Sequence, residues 1–136
     1  MYLEEHVTSE ELSRKLKELG VPQLSFFYWN GLEDLPASSL TFVLDEYIRD
    51  RKLSSSAFLS SELGEMLPKE LDGYSWRTLK TPTKGAWEIK YRKLEAGRRH
   101  PVILHQLSDP SEANVRARML IWLIQARLVD PKTLSI

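Results

Sequence analysis

The C-terminal segment "DPSEANVRARMLIWLIQARLVDP" constrains the fold more than any other stretch of this chain. Its apolar residues recur at helical spacing, and together they would cover most of the circumference of a helix. They are Ala113, Val115, Ala117, Met119, Leu120, Ile121, Trp122, Ile124, Ala126 and Leu128. A helix of this kind has to be buried on more than one side. The segment therefore predicts a long helix that lies across a sheet, with shorter helices covering its flanks.

Short polar residues mark where the first and last helices are expected to begin. Asp109 is the predicted cap of the C-terminal helix, with Pro110 at the first helical position and Glu112 closing a capping box. In "TSEELSRKLKELGVP", Thr8 is the predicted cap and Glu11 completes a second capping box. These signals place one helix near each end of the chain.

Two further helices are predicted in the first half of the chain. The stretch "SSLTFVLDEYIRDRKL" has apolar residues at helical spacing and offers Ser38 or Ser39 as a cap, although Thr41 and Phe42 favour a strand. In "SSSAFLSSELGEMLPKEL", Ser60 is the predicted cap of a short helix that ends before a proline.

The middle of the chain changes to a period of two. In "AWEIKYRKL", Trp87, Ile89 and Tyr91 alternate with charged residues, as in a strand with one face on a core and the other in water. "YSWRTLK" and "HPVILHQL" flank it across glycine-containing loops of hairpin length. Three antiparallel strands are therefore predicted.

Four consecutive aromatic residues, Phe26 to Trp29, predict a further strand near the N-terminus. Phe26 and Tyr28 would point to one face of that strand, and Phe27 and Trp29 to the other. The four rings therefore cannot form one stacking platform for a base or a sugar, and a strand with one pair of aromatics in the core is favoured.

The predicted order of elements indicates an α+β fold formed by one domain, residues 1–136, a length typical of one domain. We expect a mostly antiparallel sheet of about four strands with helices packed on one face. The chain has no cysteine, which fits a reducing compartment, and its N-terminus resembles no export signal. A cytoplasmic protein without a membrane anchor is therefore expected.

Charge is distributed unevenly along a chain whose formal net charge is zero. Residues 1–73 carry 7 Lys and Arg against 14 Asp and Glu, whereas residues 74–107 carry 8 against 2. Within the basic region, the candidate nucleic-acid-binding residues on or near an open sheet face are Arg77, Lys90, Arg92, Arg98 and Arg99. The alternatives are a solvated sheet face and association of the acidic helices with the basic sheet of another copy.

No residue pattern indicates catalysis, a metal or a cofactor. His6, His100 and His105 are the only histidines, and the last two would point to opposite faces of a strand. The serines lie at predicted helix starts, where a hydroxyl caps the backbone. The glycines form neither a dinucleotide-binding fingerprint nor a phosphate-binding loop.

Three stretches, "LKELGVPQLSFFYW", "SSELGEMLP" and "RARMLIWLIQARLV", resemble a family of small uncharacterised proteins of phages and prophage regions of bacterial genomes. The resemblance covers about two thirds of the chain, and residues 32–56 depart from it. It implies a mobile-element origin and no known activity, and it transfers no catalytic or binding residue.

The sequence therefore leaves the function open among three hypotheses. The first is a non-enzymatic accessory or protein-binding domain of phage or prophage origin, the second is a nucleic-acid-binding protein, and the third is a small enzyme. The apolar surface of the C-terminal helix exceeds what one sheet face needs, which favours a homodimer or a protein partner with Trp122 or Met119 at the interface.

Overall fold

The described part of the chain, residues 3–30, 39–42, 54–82 and 85–134 of a computed structural model, contains three α-helices. They are α1 (Glu10–Glu18), α2 (Ser60–Met66) and α3 (Glu112–Gln125). Short 3₁₀ helices lie at Leu3–Glu5 and Pro131–Thr133. No helix among these residues is both long enough and apolar enough to cross a bilayer.

Seven described strands form two antiparallel sheets, which confirms the predicted α+β fold. The smaller sheet has the order β2-β1-β3 and the larger one the order β4-β5-β6-β7. The strands are β1 (Phe27–Asn30), β2 (Ser39–Phe42), β3 (Ser54–Ala57), β4 (Glu70–Leu71), β5 (Tyr74–Lys80), β6 (Trp87–Lys93) and β7 (Val102–Asp109).

Helix α3 is buried over most of its circumference, as its sequence predicts. It packs on β6 and β7, and α1 and α2 cover its flanks. Met119, Leu120 and Leu123 are completely buried, together with Ile89 and Tyr91 of β6. The helix and one face of the larger sheet therefore share a single core.

The predicted meander of three strands is confirmed in β5, β6 and β7. The pairing of β6 with β7 is interrupted once, because Leu104 is an extra residue between the pairs Tyr91–His105 and Arg92–Ile103. Such a bulge bends the strand and shifts the side chains that follow it. As a result, Leu104 and His105 both lie on the face that α3 covers, and Ile103 is on the opposite face.

The predicted second helix is wrong over residues 39–42. These residues form β2, which pairs with β1 through the contacts Thr41–Tyr28 and Phe42–Phe27. A bulky or β-branched side chain suits a pleated strand better than a helix, which accounts for the difference. The rest of that predicted helix lies outside the described residues.

The prediction of one main sheet placed the aromatic strand in the same sheet as the other strands. The strand lies instead in the smaller sheet, separate from the sheet that carries α3. Phe26 and Tyr28 were predicted to point to the same face of the strand. Tyr28 is 1% exposed, whereas Phe26 is 58% exposed. Strand β1 begins only at Phe27, which explains why these two rings do not enter the core as a pair. Trp29 is half-buried and donates its indole N–H to the carbonyl of Thr8 at 2.8 Å.

The predicted caps of α1 and α2 are each off by one residue. Ser9 caps α1 by accepting a bond from the Leu12 amide, while Thr8 is buried and bonds to Ser13. Helix α2 has no side-chain cap at Leu59, whose amide donates to the Glu62 carboxylate at 2.9 Å.

The start of α3 also differs from the prediction. Asp109 is the last residue of β7, and Ser111 is the cap, since its hydroxyl accepts from the Asn114 amide at 3.2 Å. Asp109, two residues earlier, accepts from the Ser111 amide at 2.9 Å and thereby supports the cap.

Candidate functional site

An open groove with a mainly apolar lining lies between α1 and β7, with α3 along its floor. Its volume is about 900 Å³. It is lined by Glu10, Glu11, Leu12, Arg14, Lys15, Glu18, His105, Leu107, Arg118, Ile121, Trp122 and Gln125. A volume of this size is typical of ligand-binding clefts in proteins.

An aromatic stack forms one wall of this groove. The rings of His105 and Trp122 lie 3.9 Å apart with an angle of 5° between their planes. The bulge at Leu104 places His105 on the inner face of β7, and Trp122 projects from α3 towards it. Both side chains are half-buried, so the groove offers a large, flat apolar surface that remains accessible from solvent.

Ion pairs tie down part of the charge at the rim. Arg14 pairs with Glu10 along α1, and Arg118 Nε lies 2.9 Å from Asp109 Oδ2, joining α3 to the end of β7. These exposed pairs hold the rim side chains beside the groove without closing it. They contribute only about 1 kcal/mol or less each to the free energy of folding.

The outer edge of β7 is free within the part of the chain that the structure describes. Strand β7 is last in the order of its sheet, and no other described strand pairs with it. Natural sheets usually protect such an edge with Lys, Pro, a bulge or a covering element. Here a bulge interrupts the edge at Leu104, but His105 to Ser108 are regular and carry no Lys, Arg or Pro.

The face of the larger sheet opposite the helices carries three of the predicted basic residues. Arg77 of β5 lies directly opposite Lys90 of β6, and Arg92 is on the same face two residues further along. Lys90 pairs with Glu88 at 3.4 Å, which is also on this face. Arg77 and Arg92 form no ion pair with any described residue, so the cluster keeps a net positive charge.

The other two predicted basic residues lie elsewhere. Arg98 and Arg99 are exposed in the loop that joins β6 to β7, and Arg98 Nε lies 3.3 Å from Glu95 Oε2. The structure therefore brings together Arg77, Lys90 and Arg92 and leaves the loop pair outside that cluster.

A second, more polar concavity of about 740 Å³ lies at the start of α3. It is lined by Glu5, His6, Ser60, Lys80, Trp87, Asp109, Pro110, Ser111, Glu112, Ala113 and Asn114. Across the described residues, no group of three or more His, Asp and Glu side chains is arranged to hold a metal ion.

Of the two side chains predicted at an interface, only Trp122 has the necessary position. Met119 is completely buried in the core, so its prediction as an interface residue is wrong. The error arises because apolar residues around a helix look alike in sequence whether they contact the same chain or another. The sequence did not indicate the groove, although Trp122 and the apolar inner side of β7 are its main components.

Burial lowers the pKa of His105. The unfolded chain therefore binds a proton at a pH where the folded chain does not, so the free energy of unfolding should fall as the pH drops below about 6.5. We expect His105→Phe, which keeps a ring against Trp122, to lose this part of the pH dependence. Denaturant unfolding between about pH 8 and pH 5 measures it.

The matched control for this experiment is His100→Phe, because His100 is exposed. It should retain the wild-type slope of unfolding free energy against pH. Equal slopes for the wild type and His105→Phe would contradict the expectation.

Comparison with known proteins adds no relative. No protein-family model, no curated protein and no solved structure matches this chain.

Proposed function

We propose that this protein is a non-enzymatic protein-binding domain that takes up an extended segment of a partner protein beside β7. The observation that carries the proposal is the free edge of β7 next to the apolar groove between α1 and β7. The phage or prophage origin suggested by the sequence resemblance and the cytoplasmic location remain part of this proposal.

The free edge favours a strand as the occupant. Alternate residues of an edge strand point their backbone N–H and C=O groups outward, where they have no strand partner, and an added strand satisfies them. Strand β7 is eight residues long, or about 26 Å at the usual rise of a strand. That length is sufficient for a peptide of several residues to pair with it.

The groove supplies the anchor that edge pairing alone lacks. Side chains of an added strand alternate between the two faces of the sheet, so every second one would enter the groove. There it would meet Trp122, His105 and Leu107. Buried aromatic residues at the centre of an interface commonly contribute most of the binding energy.

Nucleic-acid binding by the sheet face is the alternative hypothesis. The observations favour it less, because Glu70 and Glu88 share that face with the three clustered cations and Glu88 pairs with Lys90. Arg98 and Arg99 lie outside the cluster, which leaves few cations on one surface to follow a phosphate backbone.

A displayed library of random peptides, selected against the full chain, provides the test. Enriched peptides should bind with dissociation constants below about 100 µM and lose about tenfold or more in affinity to Trp122→Leu. Two methylated forms of such a peptide should differ, one with N-methyl groups at the odd-numbered residues and one at the even-numbered residues. One form should lose binding and the other should keep it, because only alternate amides pair with β7. Fluorescence anisotropy measures each affinity.

The matched control is Trp87→Leu, since Trp87 is also a half-buried tryptophan but lines the second concavity. It should leave peptide affinity unchanged. The proposal fails if no peptide reaches about 100 µM, or if Trp122→Leu binds the enriched peptides as well as the wild type does.

A further inference from the structure

A strand added to β7 would be in contact with two different surfaces. Its inward side chains would enter the groove, and its outward side chains would lie on the open face beside Gln106 and Ser108 of β7. Gln106 pairs with Lys90, and Lys90 pairs with Arg77. The next residues across the open face are therefore cations beside Ile103 and Gln106, namely Arg92 and Lys90, and an anion, Glu88, beside Ser108.

The arrangement of these cations is unfavourable for the isolated chain. Like charges directly opposite each other on neighbouring strands destabilise a sheet, and Arg77 faces Lys90 in this way. Arg92, the nearest basic residue along β6, forms no ion pair with the described residues and lies opposite the half-exposed Ile103. Glu88 pairs with Lys90 and offsets part of the repulsion, and a further anion beside Arg92 would offset more of it.

An added strand would bring its outward side chains within reach of this cluster. Two strand spacings separate it from β6, a distance of about 10 Å between backbones. The long side chains of Lys90 and Arg92 on one side and of a glutamate on the other together span that gap above the uncharged outward side chains of β7.

We infer that the preferred partner segment is an amphipathic strand in which apolar residues alternate with acidic ones. The apolar residues would occupy the groove beside Trp122, and the acidic residues would face Lys90 and Arg92. This inference rests on the proposed strand addition at β7 and names the chemistry of the partner.

Charge complementarity also favours another protein over a second copy of this chain as the occupant. The outward side chains of β7 itself are Ile103, Gln106 and Ser108, none of which is acidic. A second β7 added to the first would therefore bring no acidic side chain to the cations of either copy, and Glu88 of the same chain would remain the partner of Lys90.

Three synthetic peptides of about nine residues test the inference, each with valine or phenylalanine at every second position. The residues between them are glutamate, lysine or serine. The glutamate peptide should bind about three- to tenfold more tightly than the lysine peptide at low salt, with the serine peptide between them. The difference should decrease as salt is added.

Two double variants locate the effect. Lys90→Gln with Arg92→Gln should remove the difference between the glutamate and lysine peptides. Arg98→Gln with Arg99→Gln removes the same charge from the loop and should preserve that difference. Thermal unfolding of both variants verifies that they fold, as expected for substitutions of partly exposed charges.

The outcomes separate this inference from the proposed function. Equal affinities of the glutamate and lysine peptides would overturn the acidic preference and leave strand addition intact. Failure of all three alternating peptides to bind, where selected peptides do bind, would also overturn the inference; failure of both sets would overturn the proposed function. If the wild type retains DNA or RNA and the double variant Lys90→Gln with Arg92→Gln does not, the cations belong to a nucleic-acid site. If sedimentation shows a dimer that dissociates when peptide is added, the edge of β7 binds a second copy of the chain.

Discussion

Met119→Ala should lower the free energy of unfolding by about 2–5 kcal/mol, the usual loss when a large buried side chain is truncated. Met119 is completely buried in the core that α3 forms with β6 and β7. The loss combines the transfer free energy of the deleted atoms with the cost of the cavity that they leave. Urea unfolding followed by tryptophan fluorescence measures it.

The dependence on protein concentration distinguishes a core residue from an interface residue. If Met119 stabilised a dimer, its contribution would shrink on dilution. We expect the difference between wild type and Met119→Ala to be the same at all protein concentrations. Gln125→Ala is the control, because Gln125 is exposed on the same helix and should change stability by about 0.5 kcal/mol or less.

The long α3 and the β5–β7 meander were predictable because their periodicity is strong and local. The alternation of Trp87, Ile89 and Tyr91 with charged residues fixes which face of β6 is buried, and the continuous apolar surface of α3 requires neighbours on several sides. Both features depend on residues that are close in sequence.

The second sheet was not predictable in the same way. Residues Ser54–Ala57 contain three serines and no apolar alternation, yet they form β3 because they pair with the aromatic strand β1. Tertiary pairing outweighs the low strand propensity of serine here. The segment around β2 carries both helical spacing and β-branched residues, and the pairing with β1 decides between them.

The groove between α1 and β7 depends on contacts that join distant parts of the chain. The Ser9 amide donates to Asn114 Oδ1 at 2.9 Å and positions the start of α1 against α3. The bulge at Leu104 turns His105 towards Trp122. A bulge has no clear signature in a single sequence, so this arrangement could not be inferred from the residues alone.

Arg116 joins three elements in the interior of the protein. Its guanidinium donates to the Ser60 carbonyl at 2.7 Å and to Thr78 Oγ1 at 3.0 Å, and it pairs with Glu112 at 2.9 Å. It also lies over the ring of Trp76, 5.1 Å from the centroid. Burial lowers the pKa of Arg116, and the nearby Glu112 offsets part of that lowering.

Arg116→Ala should lower the free energy of unfolding by about 2–4 kcal/mol, because it leaves partly buried oxygen atoms on Ser60, Thr78 and Glu112 without a donor. Arg118→Ala is the matched control. Arg118 is on the same helix and its ion pair has the same length of 2.9 Å, but its side chain is 52% exposed against 15% for Arg116. The control should cost about 1 kcal/mol or less, since solvent screens the exposed Arg118 guanidinium and Asp109, whose side chain is 11% exposed, still accepts from the Ser111 amide. Similar losses for the two variants in urea unfolding would show that the contacts of Arg116 stabilise the fold no more than a surface ion pair does.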